Sequence, residues 1–330
     1  MTPLFNRRQW LATGGAVAAS LCAMPAVWAQ GAYPHKPVRV IVPQPPGGGF
    51  DSVGRLLADR MGKQMSQSFV VENRPGSGTL VGTDLAAKAA PDGYTLLVGS
   101  VSNLALNMGL YPNLPYDSLR DFETIGLAVS YSYTLMARKD LPFKSLKEVV
   151  DHAKANPGKL SYASAGNGSG QHVIAAALWH TAGVDLVHVP YRGAQAAYQD
   201  LLGGRVDLFF DLSPTARIQV DAGNARALVV SGPSRNPMHP DVPSITETGV
   251  AALELESWFG LFAPAKTPPD ILQRLRTEMG RVTAQRDVAD GFVKAGGKPL
   301  SMSVSEARGL VQRDVERWSR LVRTIGIKPE

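Results

Sequence analysis

Two short glycine-rich stretches carry residue types that could hold an anion without a cationic side chain. The first is Gln44-Pro45-Pro46-Gly47-Gly48-Gly49-Phe50-Asp51, and the second is Ser164-Ala165-Gly166-Asn167-Gly168-Ser169-Gly170-Gln171-His172. Glycines let the backbone approach a ligand closely and present bare N–H groups. Each stretch runs into a segment with helical periodicity, 53–64 and 171–181. The unsatisfied donors of a helix N-terminus, with roughly +0.5 of an elementary charge, then point into the stretch. That arrangement binds carboxylates or phosphates on backbone N–H groups. Neither stretch contains Lys or Arg. The expectation is that the two loops face each other across one ligand.

Several side chains sit where they could complete such a site. Asp51 at the first helix start could complement the helix dipole, pair with Arg55 at i+4, or order the loop or a bound water. Ser169 is placed as an N-cap whose hydroxyl takes an orphan N–H. His172, in the first turn beyond the second loop, reads as a ligand donor or as a satisfied structural residue. Ser100 and Ser102 belong to Ser100-Val101-Ser102-Asn103, at the carboxyl end of a strand over 95–99, where ligands sit in open α/β sheets. Asp211 ends a strand over 206–210. Tyr131, Tyr133, Tyr191, Trp258 and Phe259 fall at crossings and strand ends, where they pack the core or wall a cleft.

Other chemistries fit poorly. Gly76-Ser77-Gly78 with Gly82 only loosely spaces like a dinucleotide fingerprint, and the acid about 20 residues on, Asp92, lies in a Pro-Asp-Gly turn. No Gly-Lys-Ser/Thr phosphate loop is present. Gly168-Ser169-Gly170 lacks the Gly-x-Ser-x-Gly frame of a hydrolase elbow. His172, His180 and His188 have no acidic cluster at metal-ligand spacing, so no metal, cofactor or catalytic residue is assigned.

The elements that must position these residues alternate. Strands over 38–42, 69–72 and 95–99 enclose helices over 53–64 and 81–89, and the rhythm restarts after residue 145. There, strands over 160–163, 186–189, 206–210 and 225–231 alternate with helices over 145–155, 171–181 and 194–202. Such alternation predicts parallel sheets with right-handed crossovers. The apolar run 124–138 is too long for one ordinary strand and reads as a crossing between lobes, with 258–263 as the return. Helices are expected from Pro268 to about Gln285 and over 303–325.

The 330 residues, 44% hydrophobic and 19% charged, suit a two-lobed globular chain. Residues 1–29 read as an export signal. Asn6-Arg7-Arg8-Gln9-Trp10-Leu11 is twin-arginine-like, a general secretory signal being the alternative, and Val27-Trp28-Ala29 offers a cleavage site. Cleavage after Ala29 leaves 301 residues and removes two arginines, lowering the net charge from +6 to +4. The single cysteine, Cys22, lies in the leader, so the mature chain forms no disulfide. No Lys/Arg block suggests nucleic acid.

The residues resemble one family throughout. Tyr33-Pro34-x-Lys36-Pro37-Val38-Arg39, Pro46-Gly47-Gly48-x-x-Asp51, Val71-Glu72-Asn73-Arg74-Pro75-Gly76 and Pro91-Asp92-Gly93-Tyr94-Thr95-Leu96 are followed by three more motifs. These are Tyr162-Ala163-Ser164-Ala165-Gly166-x-Gly168-Ser169-x-x-His172, Val189-Pro190-Tyr191-Arg192-Gly193 and Asp200-Leu201-Leu202-Gly203-Gly204-x-Val206-Asp207. In this order they resemble the substrate-binding proteins of tripartite tricarboxylate transporters, or Bug-type receptors, over essentially the whole mature chain. Gln44-Pro45, Ser102-Asn103-Leu104 and Asn107-Met108 depart from the usual pattern beside the cleft.

The resemblance implies a periplasmic, two-lobed Venus-flytrap fold of type II, with no enzyme activity. It implies capture of a small mono- or dicarboxylate, aliphatic or aromatic, for delivery to membrane permease subunits. It also implies that backbone N–H groups and ordered waters of the two glycine loops grip the carboxylate. The lobes would be 30–132 with 256–330, and 133–255, closing near 129–135 and 255–259. The expected ligand-binding residues are Gly48, Gly49, Phe50, Asp51, Ser100, Ser102, Tyr133, Ser164, Gly166, Ser169, Gly170, His172, Tyr191, Asp211, Trp258 and Phe259. The protein is expected to be a monomer. The alternatives are an exported α/β enzyme acting on a small acid or ester, and a receptor for a non-carboxylate solute.

Overall fold

The computed structural model describes residues 33–327, so the expected export signal lies outside the described residues. The first βαβ units form as the periodicity predicts. Strand β1 (Val38–Val42) lies between β2 (Phe69–Asn73) and β3 (Thr95–Ser100), parallel to both. Its Val38, Val40 and Ile41 are fully buried, because helix α1 (Gly49–Met65) and α2 (Leu80–Ala87) complete the layer. Helix α1 starts at Gly49, four residues before the apolar periodicity sets in, so Gly49, Phe50 and Asp51 form its first turn.

The run from Phe122 to Arg138 is a single strand, β4, of 17 residues. Its first part pairs antiparallel with β9 (Glu256–Pro264), which also pairs with β3. Its second part pairs with β7 (Leu208–Leu212) and β8 (Ala225–Val230). The change of partners falls between Ser132, opposite Glu256, and Tyr133, opposite Leu212. Beyond β7 the sheet continues through β5 (Ser161–Ser164) to β6 (Val187–Pro190), all parallel. Helices α4 (Leu146–Ala155), α5 (Gly170–Ala182), α6 (Ala194–Leu202) and α7 (Ser213–Asp221) flank this second sheet. Met136, Ala163, Ala197, Leu201 and Phe209 fill the core on one of its faces.

Beside the expected helices Pro269–Thr283 and Val304–Ile325, several elements are not evident in the periodicity. A π-helical turn, Ser102–Leu106, leads directly into an α-turn, Asn107–Leu110 (α3). Two buried asparagines support it. Asn103 Nδ2 donates to Thr83 Oγ1 and Val98 O, and Asn107 Nδ2 donates to Tyr116 OH at 2.8 Å. Helix α8 (Pro269–Thr283) is followed by α9 (Arg286–Lys294) and a short strand β10 (Gly297–Pro299) on β4. Helix α10 (Val304–Ile325) opens with a capping box, Ser303 with Glu306. Among the described residues no helix is long and apolar enough to cross a membrane.

Candidate functional site

The first glycine loop is held from behind by Asp51. Its Oδ2 accepts from Gly47 N at 3.0 Å and from Arg55 Nε at 2.9 Å, and its Oδ1 accepts from Asn73 Nδ2 at 3.0 Å. Asn73 Nδ2 also donates to Gln44 O, tying the end of β2 to the loop. Burial alone would raise the carboxyl, but the bonds from Arg55, Gly47 N and Asn73 outweigh it and hold it below the usual carboxylate range. Gly47 has φ +86°, a conformation that L side chains rarely adopt. The amides of Gly48, Gly49, Phe50 and Asp51 make no hydrogen bond among the described residues. They are the orphan donors of the α1 N-terminus.

The second loop is held by its own polar atoms and a histidine pair. Ser169 is the N-cap of α5, its Oγ accepting from His172 N at 3.3 Å. Ser164 Oγ donates to Gly166 O, accepts from Gly166 N, and shares a 2.7 Å hydrogen bond with His188 Nε2. His172 Nδ1 accepts from Gly168 N at 3.2 Å. The rings of His172 and His188 stack at 3.9 Å and 2°. Tyr162 stacks on the far side of His188. His172 is therefore neutral, with its acceptor nitrogen committed to the loop backbone. Burial, and then the nearby His188, push its pKa down to about 3. Burial lowers His188 to about 4.

This pair makes stability sensitive to acid. Both histidines titrate lower in the folded chain than in the unfolded one, whose ordinary value is about 6.5. As pH falls below about 6.5, the unfolded chain takes up protons that the folded chain refuses, so stability is lost from there toward pH 4. Denaturant unfolding at pH 7 and pH 5 is expected to show the double variant His172→Gln, His188→Gln losing less stability than the wild type, by roughly 2–4 kcal/mol. Equal losses in the two proteins would contradict this assignment.

The two loops meet. Gln195 Nε2 at the start of α6 donates to Gly47 O at 2.9 Å, and Gly170 N donates to Ser102 Oγ at 3.1 Å. Gly49 lies against Leu212, and Gly78 against the backbone carbonyl of Asn167. Tyr133, on β4 where the strand changes partners, is 1% exposed and presses its hydroxyl against Gly170. Burial pushes that phenol up to about 12, so it stays protonated. Where Gly78 approaches Asn167 lies a cavity of about 550 Å³. Pro45, Pro75, Gly76, Ser77, Gly78 and Tyr111 line one side of it, and Ala165, Gly166, Asn167, Pro190, Tyr191, Arg192 and Gly193 the other.

The structure thus brings Ser102, Tyr133 and Gly170 into contact, carries Ser164, Gly166, Ser169 and His172 on the same loop as Gly170, and sets Gly49, with Gly48 beside it, against Leu212, the β7 partner of Tyr133; of these only Gly166 lines the cavity. Ser100 lies just behind Ser102, its Oγ accepting from Ser102 N and its own N donating to Asn103 Oδ1. Phe50 points inward and meets Phe259 edge to face at 5.1 Å, forming the floor beneath the first loop. Tyr191 turns its hydroxyl to Asp200 Oδ2 at 2.7 Å, leaving its ring on the cavity wall. Asp211 is fully engaged by the helices packed on its sheet, accepting from Gln171 Nε2, Tyr198 OH and Thr215 Oγ1. Burial raises its pKa. It orients α5, α6 and α7 behind the second loop. Gln195, Leu212, Tyr111 and Arg192 join the region although neither glycine motif contains them. Their link to it is tertiary, and only the Tyr191-Arg192-Gly193 motif signalled one of them.

Trp258 is placed elsewhere. Successive residues of β9 face opposite sides, so Phe259 looks toward Phe50 while Trp258 Nε1 donates to Asp314 Oδ2 of α10 at 2.7 Å. Removing this donor leaves a buried carboxyl without it. Trp258→Phe is expected to cost about 1–3 kcal/mol of stability, measured by denaturant unfolding, with ligand affinity within about twofold of wild type. A large affinity loss at unchanged stability would place Trp258 in the binding region instead.

Among the described residues no group of His, Cys, Asp and Glu could hold a metal ion. Two sheets joined through β4, each carrying a glycine loop at a helix N-terminus, define a class, the two-lobed periplasmic solute receptors. Residues 53–327 match the family described as the tripartite tricarboxylate transporter family receptor, and the chain belongs to that family. It is 38% identical over 292 residues to the UPF0065 protein of the tcbD-tcbE intergenic region of Pseudomonas sp. (strain P51), covering 88% of this chain and 87% of that one. Among solved structures, the R. palustris protein Rpa4515 with adipate superposes with TM-score 0.87 at 30% identity, over 90% of this chain and all of that one. The periplasmic binding protein BugD gives 0.86 at 33% identity, with coverage of 90% and 100%. MatC (Rpa3494) from Rhodopseudomonas palustris with bound malate gives 0.83 at 33% identity, with coverage of 88% and 100%.

Proposed function

We propose that this receptor captures a small organic carboxylate between its two glycine loops and delivers it to the membrane permease subunits of a tripartite transporter. The observation that carries the reading is the pair of helix N-termini. Unpartnered amides at residues 48–51 lie beside the Gln195–Gly47 contact between the lobes, and the second loop at the start of α5 lies beside the Gly170–Ser102 contact. Solved relatives with adipate and malate support the carboxylate class. In this reading the chain is exported, cleaved after Ala29, and works in the periplasm as a monomer without catalysis. One lobe is 30–132 with 256–330 and the other 133–255, the boundary lying where β4 changes partners. Amides of Gly48, Gly49 and Phe50 and of the second loop grip the carboxylate, and Ser102, Tyr133 and Tyr191 shape the space.

Backbone donors suffice for such a task. Micromolar affinity corresponds to about −8 kcal/mol. Two helix ends contribute roughly 0.3–2 kcal/mol each, and charge-assisted hydrogen bonds about 1.5–3 kcal/mol apiece. Lobe closure and ligand ordering consume part of that sum.

The test is a thermal-unfolding screen of the chain from residue 30 against mono-, di- and tricarboxylates. The cognate acid at about 100 times its Kd adds about 2.7 kcal/mol, a shift of several degrees. A flat response across every carboxylate, with the protein folded and free of carried-over ligand, would overturn the proposal.

A further inference from the structure

The cavity beside the loops has one charged lining residue, Arg192. The rest of its wall is proline, glycine, alanine, two tyrosines, Ser77 and Asn167. The backbone on either side of Arg192 is tied to the second glycine loop. Tyr191 N donates to Ser164 O at 3.0 Å and Gly193 N to Ala165 O at 3.3 Å. The arginine therefore springs from a segment fixed against Gly166.

Two acids of this part of the chain are already committed elsewhere. Asp200 takes the Tyr191 hydroxyl on one oxygen and Arg205 on the other, at 2.7 Å each. Asp51, behind the first loop, is paired with Arg55. Arg192 itself has no hydrogen bond or ion pair among the described residues, and it is exposed. The cleft thus carries two unlike anion sites. Backbone amides lie at the loops, and Arg192, exposed and without an ion pair, is among the residues lining the cavity beside the second loop. A guanidinium meets a carboxylate through a fixed fork of donors, which a single charged point cannot replace.

We infer that Arg192 is a specificity-determining residue that selects acids carrying a second carboxylate. This rests on the carboxylate-receptor reading. One carboxylate sits on the loop amides, and the other is met by Arg192. The apolar bodies of Tyr111 and Tyr191 flank the hydrocarbon between them. A monocarboxylate of equal length leaves the guanidinium in water and forgoes that contact.

The experiment is isothermal titration of wild type and Arg192→Gln with matched pairs: succinate and butyrate, adipate and hexanoate, terephthalate and benzoate. In the wild type the best-bound dicarboxylate is expected to exceed its monocarboxylate partner at least tenfold. In Arg192→Gln the ratio falls to within about threefold, while Arg192→Lys, which keeps the charge and loses the fork, lies between. Because the side chain has no partner to lose, the variants should unfold at the wild-type midpoint, which is measured alongside. A ratio unchanged by Arg192→Gln, or a wild type that binds both members of every pair equally, overturns the assignment while leaving the carboxylate receptor standing. Failure of every acid to bind overturns both.

Discussion

Gly170→Ala is expected to weaken capture of the cognate acid at least tenfold and to destabilise the fold. An alanine Cβ at this position would stand 2.0 Å from the Tyr133 hydroxyl oxygen, 2.8 Å from its ring carbon and 3.0 Å from Ser102 Oγ. Tyr133 is packed within β4 at 1% exposure and cannot swing aside. Overpacking of a filled site costs about 1–3 kcal/mol. The clash also falls on the point where Gly170 N meets Ser102, so relief requires the two sides to separate. Gly170 opens a helix and its φ is ordinary, so propensity alone would favour alanine by up to about 1 kcal/mol. The loss is therefore steric. Gly280 is the control: it is exposed in α8, with nothing near its absent side chain. Gly280→Ala should stabilise the fold by up to about 1 kcal/mol. Denaturant unfolding and calorimetric titration of both variants decide the matter. A Gly170→Ala protein with wild-type stability and affinity would contradict the close packing of Tyr133 on α5.

Asp51→Ala should bring a loss of comparable size by a different route. One carboxylate satisfies Gly47 N, Arg55 Nε and Asn73 Nδ2 at once. Without it, the Gly47 turn loses the bond that holds its peptide, and Asn73 Nδ2 keeps only Gln44 O. Hydrogen bonds to a charged group contribute about 1.5–3 kcal/mol each, so a tenfold to hundredfold fall in affinity is expected. Asp51→Asn retains an acceptor oxygen for one partner and should fall between wild type and alanine. The folded carboxyl titrates below its ordinary value, so its stabilisation is complete above about pH 4 and is lost only as pH falls through the lower folded pKa. Binding should therefore hold level, as far as Asp51 is concerned, from pH 7 to pH 5. Titrations at the two pH values check it. A steep fall between them in wild type but not in Asp51→Asn would show that the carboxyl is not held in this way.

Much of this architecture is local and so was legible in the sequence. The strand before the first glycine loop, the Ser169 cap and the Asp51–Arg55 pair depend on neighbours within a few residues. The family motifs added the class. Tertiary relations were harder to read. The turn over 101–110 is stabilised by Asn103 and Asn107 reaching Thr83 and Tyr116, and asparagine-containing π-turns show no apolar periodicity. Helix α7 begins with Ser213-Pro214, and proline near a helix start suits it while reading as a breaker. Trp258 and Phe259 are neighbours in sequence, yet only the pairing of β9 decides which of them faces the loops. Asp211 at a strand end resembled a ligand contact, whereas the structure engages both its oxygens from α5, α6 and α7. Gln195 reaches Gly47 over 148 residues of chain, a link that no local pattern encodes.

In the proposed function, backbone amides of the two glycine loops bind the carboxylate. Amide-resolved NMR of the chain from residue 30, titrated with the acid that stabilises it most, tests this directly. The largest shifts are expected at Gly48, Gly49, Phe50, Gly166 and Asn167, saturating together with the calorimetric Kd. Saturating shifts centred on Trp258, Asp314 and α10, with the loop amides unmoved, would contradict it.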